Sequence, residues 1–383
     1  MGSRLSDAIG WLSGQRTAME SFLERLVLQN SFTANRRGVE AVANLCAGQL
    51  RTLALDVELR GSQRFGPNVV FSGRAAGPPV FLLGHTDTVH PPGTFETFRR
   101  EGERGYGPGA FDMKGGLTVI LFGLAAAKRA QLLERVPLRG VLVGDEEMGS
   151  PESQALTRAH AAGAGCALCF ESGRPGDLLV TRRKGVGSVR AEAHGVAAHA
   201  GNDPEKGRNA IWSLARFIDR AQGLTSLEDG VIVNVGVVSG GTTKNTIPAR
   251  AECEVDLRFE RGDDGRALVQ RLQAIAAEVA IEGTTIQLAE ASWRDPLERT
   301  PASSALAKEY GECQRESGLG MGEAPLAGGG SDACTVGAMG IPTIDGLGPR
   351  GKAFHTASEE VDLGSLLPKA MALLRFLGKR AGG

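Results

Sequence analysis

The sequence predicts an α/β fold with a mainly parallel sheet, interrupted by a smaller α+β domain. Three observations carry this. Strand-like runs alternate with helical ones over the first 183 residues. Runs such as PPVFLLG, RGVLVG and CALCF are continuously apolar, as in strands buried on both faces. Near residue 184 the strands begin to alternate apolar with polar residues, and near 299 the first pattern resumes.

The N-terminal run 1–27 sets Ile9, Trp11, Leu12, Met19, Phe22, Leu23 and Leu26 at helical spacing and reads as one amphipathic helix. A second helix is expected over roughly 38–54, then strands LDVELRG, NVVFSGR and PPVFLLG. The helix GGLTVILFGLAAAKRAQLL, the strand RGVLVG, the helix SPESQALTRAHAAG and the strand CALCF follow. From VGSVRAEAHG the order is strand, helix (RNAIWSLARFIDRAQG), strand (GVIVNVGVVSG), strand (RAECEVDLRFE), helix (GRALVQRLQAIAAEVA) and strand (TTIQLAE). In RAECEVDLRFE, Ala251, Cys253, Val255, Leu257 and Phe259 take one face; Glu252, Glu254, Asp256 and Arg258 take the other. One face is buried and one polar, as in an open antiparallel sheet. Two strand–helix–strand units predict a ferredoxin-like insert at 184–298, with 1–183 and 299–383 forming the larger domain. The last segment reads as a helix, the glycine-rich LAGGGSDAC, the strand IPTIDG and a final helix around LGSLLPKAMALLRFLGK.

Composition excludes several function classes. The chain has 383 residues, 42% hydrophobic, with Lys+Arg 43 against Asp+Glu 44 and a net charge of -1. That balance gives no field for phosphate backbones, so nucleic acid is excluded as the main partner. Six cysteines are too sparse for a disulfide scaffold in a chain this long. Cys166 and Cys169 lie in an apolar run without a second CxxC and read as buried strand cysteines. The N-terminus lacks a continuous apolar h-region and no apolar stretch approaches 18 residues, so no membrane span is expected and a cytoplasmic protein is. Glycine, at 54 residues, is about twice as frequent as usual, which signals tight turns or close backbone approach to a ligand.

Three apolar strands end in chemistry. PVFLLG runs into His85-Thr86-Asp87, RGVLVG into Asp145-Glu146-Glu147, and CALCF into Glu171. Ligands bind beyond the carboxyl ends of parallel strands, so these side chains would converge on one crevice. Taken singly, an acid after a strand reads as a helix cap, and Asp112 as the cap of the helix beginning near Gly115. Together, clustered carboxylates need a compensating cation, and His with Asp and Glu suits zinc. Of the adjacent pair Glu146-Glu147, one can bind metal while the other shuttles a proton. Asp87, two residues after His85, can accept a hydrogen bond from the imidazole and fix its tautomer. No HExxH, GxSxG or Walker A motif occurs.

GHTDTV, YGPGAFDMKGG, DEEMGS, FES and AFHTASEEVD, in this order, resemble the di-zinc exopeptidase and amidohydrolase family. Its members include glutamate carboxypeptidase, acetylornithine deacetylase, succinyl-diaminopimelate desuccinylase and aminoacylase. The resemblance covers essentially the whole chain, and FESGRPGD, TRRKGVG and HAGNDPEKGRNAI look most like the glutamate carboxypeptidase branch. It implies that Asp112 bridges two zinc ions, His85 and Glu171 completing one site and Glu147 and His355 the other. Glu146 would be the general base. His355 follows from the resemblance alone. Cobalt or manganese could occupy the same ligands.

The resemblance also implies that the insert is a lid through which two copies form a homodimer. His199, in AAHAG, would reach the partner's site and stabilise an oxyanion. Asn245 in KNTIPA and Arg258 in DLRF would contact substrate, Arg258 gripping a terminal carboxylate. The alternative for Arg258 is an ion pair with Asp256 or Glu254 on the polar face. Gly329, Gly330 and Ser331, in GGGSD, could offer backbone N–H groups to the same carboxylate; the alternative is a tight turn before a helix. The expected function is hydrolysis of an amide bond next to a free carboxylate, releasing glutamate or a similar residue from N-acyl amino acids or short peptides. A biosynthetic deacetylase or desuccinylase is the rival. A catalytically inactive metal-binding scaffold is a further one, against which the intact Glu146 speaks.

Overall fold

The N-terminal run forms two helices, α1 (Gly2–Ser13) and α2 (Arg16–Val27), not one. The break falls at Gly14, the residue type with the weakest helix preference after proline. Both halves bury their apolar stripe, with Leu12, Met19, Leu23 and Leu26 fully enclosed. The computed structural model describes residues 2–382. Contacts divide the chain into two units, 1–182 with 299–327 and 331–383, and 183–298 with 328–330.

In the larger unit, α3 (Arg36–Thr52) is capped by the Asn35 side chain and starts two residues before the expected point. Strands β1 (Asp56–Arg60), β2 (Asn68–Ser72) and β3 (Val80–His85) follow. After them come β4 (Arg99–Glu101), β5 (Arg104–Tyr106), α4 (Gly115–Arg129), β6 (Leu138–Val143), α5 (Ser153–Ala161) and β7 (Cys166–Cys169).

The insert contains β8 (Gly185–His194), β9 (Ala198–His199), α6 (Ala210–Gln222), β10 (Ile232–Gly240) and β11 (Thr246–Ile247). It ends with β12 (Arg250–Phe259), α7 (Gly262–Val279) and β13 (Thr285–Arg294). The chain then returns to the larger unit with α8 (Pro301–Glu316), α9 (Asp332–Gly337), β14 (Thr343–Ile344), β15 (Gly351–Lys352), β16 (Glu360–Asp362) and α10 (Leu366–Arg380).

The main sheet has the order β1-β2-β6-β3-β7-β14. β6, β3, β7 and β14 are mutually parallel, whereas β1 and β2 are antiparallel additions at one edge. The edge strand β1 alternates exposed and half-buried positions, while β3 is buried at all six of its residues. The apolar helix α4 packs in this core. Counted with the preceding turn, residues 110–129 contain an 18-residue window that is apolar enough to cross a membrane by length and composition alone. Of that window, 83% is buried inside the fold, and core packing accounts for its apolarity.

In the insert, β10-β12-β8-β13 form an antiparallel sheet with the ferredoxin-like strand order. Its apolar face, including Val189, Ala191, Cys253, Val255 and Leu257, packs with Leu214, Phe217, Leu268 and Leu272 of α6 and α7. β12 alternates as its sequence dictates. β13 runs to Arg294, past the TTIQLAE segment, through an irregularity between Glu290 and Ser292. A two-stranded ribbon of β9 and β11, absent from the sequence reading, carries His199. All six cysteines are buried free thiols, Cys166 and Cys169 within β7 as expected.

Candidate metal centre

Because β6, β3 and β7 are adjacent and parallel, their C-terminal ends open on one edge of the sheet. His85 is the last residue of β3. Its Nδ1 lies 3.0 Å from the Asp87 carbonyl oxygen and 3.4 Å from Asp87 Oδ1. Donation from Nδ1 leaves Nε2 facing Asp112 Oδ1 at 3.6 Å and Glu171 Oε2 at 3.7 Å. Asp87 does more than its spacing implied. Its carboxylate accepts from Thr33 Oγ1 at 2.8 Å and from the backbone N–H groups of Glu146 and Glu147, each at 3.2 Å. One residue thus orients both, the imidazole chiefly through its carbonyl and the acidic turn after β6 through its carboxylate.

On the other side, His355 Nε2 lies 3.3 Å from both Asp112 Oδ2 and Glu147 Oε2. Ligand-type atoms of His85, Glu146 and Glu171 fall within 4.8 Å of one another, as do those of Asp112, Glu147 and His355. Asp112 faces both groups, one oxygen toward each. Glu146, expected to be unligated, stands among the atoms of the first group. Asp145 is different: its Oδ2 accepts from the N–H groups of Glu152 and Ser153 at the start of α5, the capping role common for an acid after a strand.

Asp112 does not cap α4. Residues 110–114 form an irregular turn in which Asp112 is extended, at φ -119 and ψ 98, and the Asp112–Met113 peptide is cis. Two glycines permit this loop. Gly109 sits at φ 71, and a Cβ there would meet Thr88 Cγ2 at 2.4 Å. A Cβ on Gly116 would lie 2.0 Å from the Phe170 carbonyl oxygen, so the start of α4 approaches the end of β7 only as glycine. The loop's N–H groups at Gly109, Phe111 and Asp112 are taken by the buried Glu359 carboxylate, which also pairs with His90. Thr33, His90 and Glu359 were not singled out from the sequence. The one signal for Glu359 was an acid four residues beyond His355.

The electrostatics are those of a cation site. Burial opposes charge on His85, yet Glu171, Asp112 and Asp87 together hold its pKa well above the ordinary histidine value. Asp112 and Glu147 hold His355 up to about 10. Burial pushes Glu147 up to about 7 and Glu171 well above the usual carboxylate range. Burial pushes Asp112 the same way, but the facing imidazoles of His355 and His85 prevail and hold it below that range. Protons here offset clustered carboxylates as divalent cations would. Among the described residues, Asp112 Oδ1 and Glu147 Oε1 are buried without a hydrogen-bond partner. A buried oxygen left so costs about 1–3 kcal/mol, which a cation facing it removes. Carboxylate and imidazole donors suit zinc, cobalt or manganese. The residues present therefore fit a pair of metal ions.

In the insert, His199 and Asn245 are brought together on the β9–β11 ribbon, where the Ala200 N–H donates to the Asn245 carbonyl at 2.9 Å. Both side chains are exposed. His199 Nδ1 accepts from the N–H groups of Gly201 and Asn202 at 3.2 and 3.1 Å, which places the proton of the neutral ring on Nε2. Arg258 takes the alternative foreseen for it, a bidentate pair with Asp256 at 2.9 and 3.0 Å. In GGGSD, the Gly329 carbonyl accepts from Arg183, and Ser331 caps α9 while its hydroxyl donates to Asp345 at 2.6 Å. The turn-before-a-helix alternative describes this loop.

Residues 181–284 match the peptidase dimerisation domain of the M20 family. Carboxypeptidase G2 of Pseudomonas sp. (strain RS-16) is 29% identical over 365 residues, covering 93% of this chain and 88% of the relative. A succinyl-diaminopimelate desuccinylase of Cereibacter sphaeroides (strain KD131) is 29% identical over 77% of this chain and 81% of its own. Among solved structures, a tripeptidase of Staphylococcus aureus has the same fold, with a TM-score of 0.80 at 22% identity, covering 96% of this chain and 99% of that one.

Proposed function

We propose that this chain, which belongs to the M20 peptidase family and carries its dimerisation domain, hydrolyses an amide bond next to a free carboxylate. The released amino acid is glutamate or a similar residue, and the substrates are N-acyl amino acids or short peptides. One observation carries the reading: Asp112 presents one oxygen to the His85–Glu171 side and the other to the His355–Glu147 side. Likeness to a carboxypeptidase over most of both chains supports the substrate class.

His85, Asp112 and Glu171 would hold one zinc ion, and Asp112, Glu147 and His355 a second, with cobalt or manganese as substitutes. Metal ions so bound lower the pKa of water and polarise the scissile carbonyl. Glu146 takes a proton from the attacking water and passes it to the leaving nitrogen as the carbon–nitrogen bond breaks. Asp87 holds His85 and the Glu146–Glu147 turn in place. His199, with its proton on Nε2, is suited to donate to the oxyanion. Asn245 would contact the substrate, and Arg258 would exchange Asp256 for the substrate carboxylate, with the 329–331 loop beside it.

A homodimer formed through the insert is supported by its exposed apolar residues. Ile211 and Trp212 on α6 are 43% and 61% exposed, and Val237 and Val238 on the edge strand β10 are 56% and 63% exposed. Six buried free thiols agree with a cytoplasmic setting.

Glu146→Gln tests the mechanism. Turnover of an N-acyl glutamate should fall by about 10²- to 10⁴-fold with two metals per chain retained. Undiminished turnover would sink the base assignment, and loss of metal would make Glu146 a ligand. The likeness to a desuccinylase favours one second reading, hydrolysis of a biosynthetic N-acyl intermediate. Release of glutamate against turnover of acetylornithine or a succinylated diamino acid, in one substrate panel, separates the two.

A further inference from the structure

We infer that Glu359 and His90 form a buried clamp that sets the separation of the two ligand groups, acting as positioning residues without binding metal. The Glu359 carboxylate is fully enclosed, and His90 is 6% exposed. Oε1 accepts from the N–H groups of Phe111 and Asp112, both at 2.9 Å. Oε2 accepts from the Gly109 N–H at 3.1 Å and from His90 Nε2 at 2.7 Å. A carboxylate leaves water only where donors replace its hydration, and four are supplied here.

The source of those donors gives the clamp its meaning. Three belong to the loop that carries Asp112, the residue facing both ligand groups. The fourth comes from the segment that begins at His85, five residues before His90. Glu359 itself is four residues beyond His355, and its own carbonyl accepts from the Gly107 N–H at 3.3 Å. One carboxylate therefore joins the three segments that supply His85, Asp112 and His355. The His90 end is anchored in turn by Asn30, whose side chain donates to the His90 carbonyl at 3.1 Å. Because Asp112 donates its own N–H to Glu359, any shift of that carboxylate rotates the peptide from which the shared ligand projects. Outer partners of this kind affect metal affinity by about 10- to 100-fold.

The clamp rests on the two-metal reading above, and zinc affinity is the measurement that separates them. Zinc binding to metal-free wild type, Glu359→Gln, His90→Phe and His90→Gln would be followed by chelator competition, alongside kcat and KM for an N-acyl glutamate. Glu359→Gln removes the acceptor facing Gly109 and His90 while keeping the shape. It should weaken zinc binding by about 10- to 100-fold and lower kcat more than KM changes. His90→Phe should do the same, and His90→Gln, which keeps an N–H donor, should recover most of the affinity. If Glu359→Gln does not fold, the two His90 variants decide by their difference. Wild-type affinity and kcat in Glu359→Gln, or equal losses in both His90 variants, overturn the clamp and leave the two-metal reading standing. A wild-type chain that binds no zinc overturns both.

Discussion

His85 is fixed by Asp87, and Asp87 by Thr33 and two backbone N–H groups. Arg258, in the insert, is bonded to Asp256 two residues before it on the same strand. In the larger unit the ligand-type side chains are chiefly buried or half-buried, and His85, Asp112 and the Glu146–Glu147 turn are each held by a neighbour that is itself held by another. In the insert, His199 and Asn245 are exposed and their bonds are made within short loops. A pre-oriented site loses function when any member of its supporting shell is removed. Exposed groups with local bonds take their role from whatever is brought to them, and their loss should leave folding and metal content alone.

Asp112→Asn should break the first region most completely. An amide cannot serve both ligand groups as an anion, so both metals should be lost and turnover should fall by about 10³-fold or more. Two retained metals in that variant would mean Asp112 is not shared. His199→Ala should touch only the second region: kcat falls by about 10²-fold while metal content and melting stay as in wild type. An unaltered kcat would remove His199 from the mechanism. Trp212→Glu should yield monomers in light scattering, with activity falling alongside if His199 serves the partner's site. A fully active monomer would break that link.

The smallest effect concerns pH. In metal-free protein, His355 is raised from 6.5 to about 10 and Glu147 from 4.5 to about 7. A raised pKa contributes stability that is complete below the ordinary value and lost as pH rises through the folded one. The Glu147 contribution is therefore lost between pH 4.5 and about 7, and the His355 contribution between 6.5 and about 10. The melting temperature of chelated protein should fall over that span, and the increase conferred by zinc should grow. A zinc-induced shift independent of pH would contradict the proton–metal exchange.

The strand-borne part of the centre was legible in the sequence because continuous apolar runs end abruptly in His85, Glu146, Glu147 and Glu171. Parallel pairing then places those ends on one edge. Asp112 taken singly looked like a helix cap, since a glycine-rich loop conceals that its backbone N–H is held by an acid 247 residues away. His355 followed only from the family resemblance, for no local pattern links it to His85. Thr33 acts through Asp87, Glu359 through backbone groups and His90 through Glu359, and such work leaves no spacing to read. The N-terminal helix was expected to be continuous because apolar periodicity carries across Gly14, where the backbone does not.

The six enclosed thiols give the chain a practical property. Burial pushes Cys46 up to about 12 and Cys166, Cys253 and Cys313 up to about 11, so these groups stay protonated and shielded at neutral pH. Maleimide dyes and spin labels should accordingly pass over the native chain. Single cysteines placed on the surface of each unit would then be the dominant targets, with no native cysteine to remove. A fluorophore pair installed in this way could follow the distance between the two units during turnover.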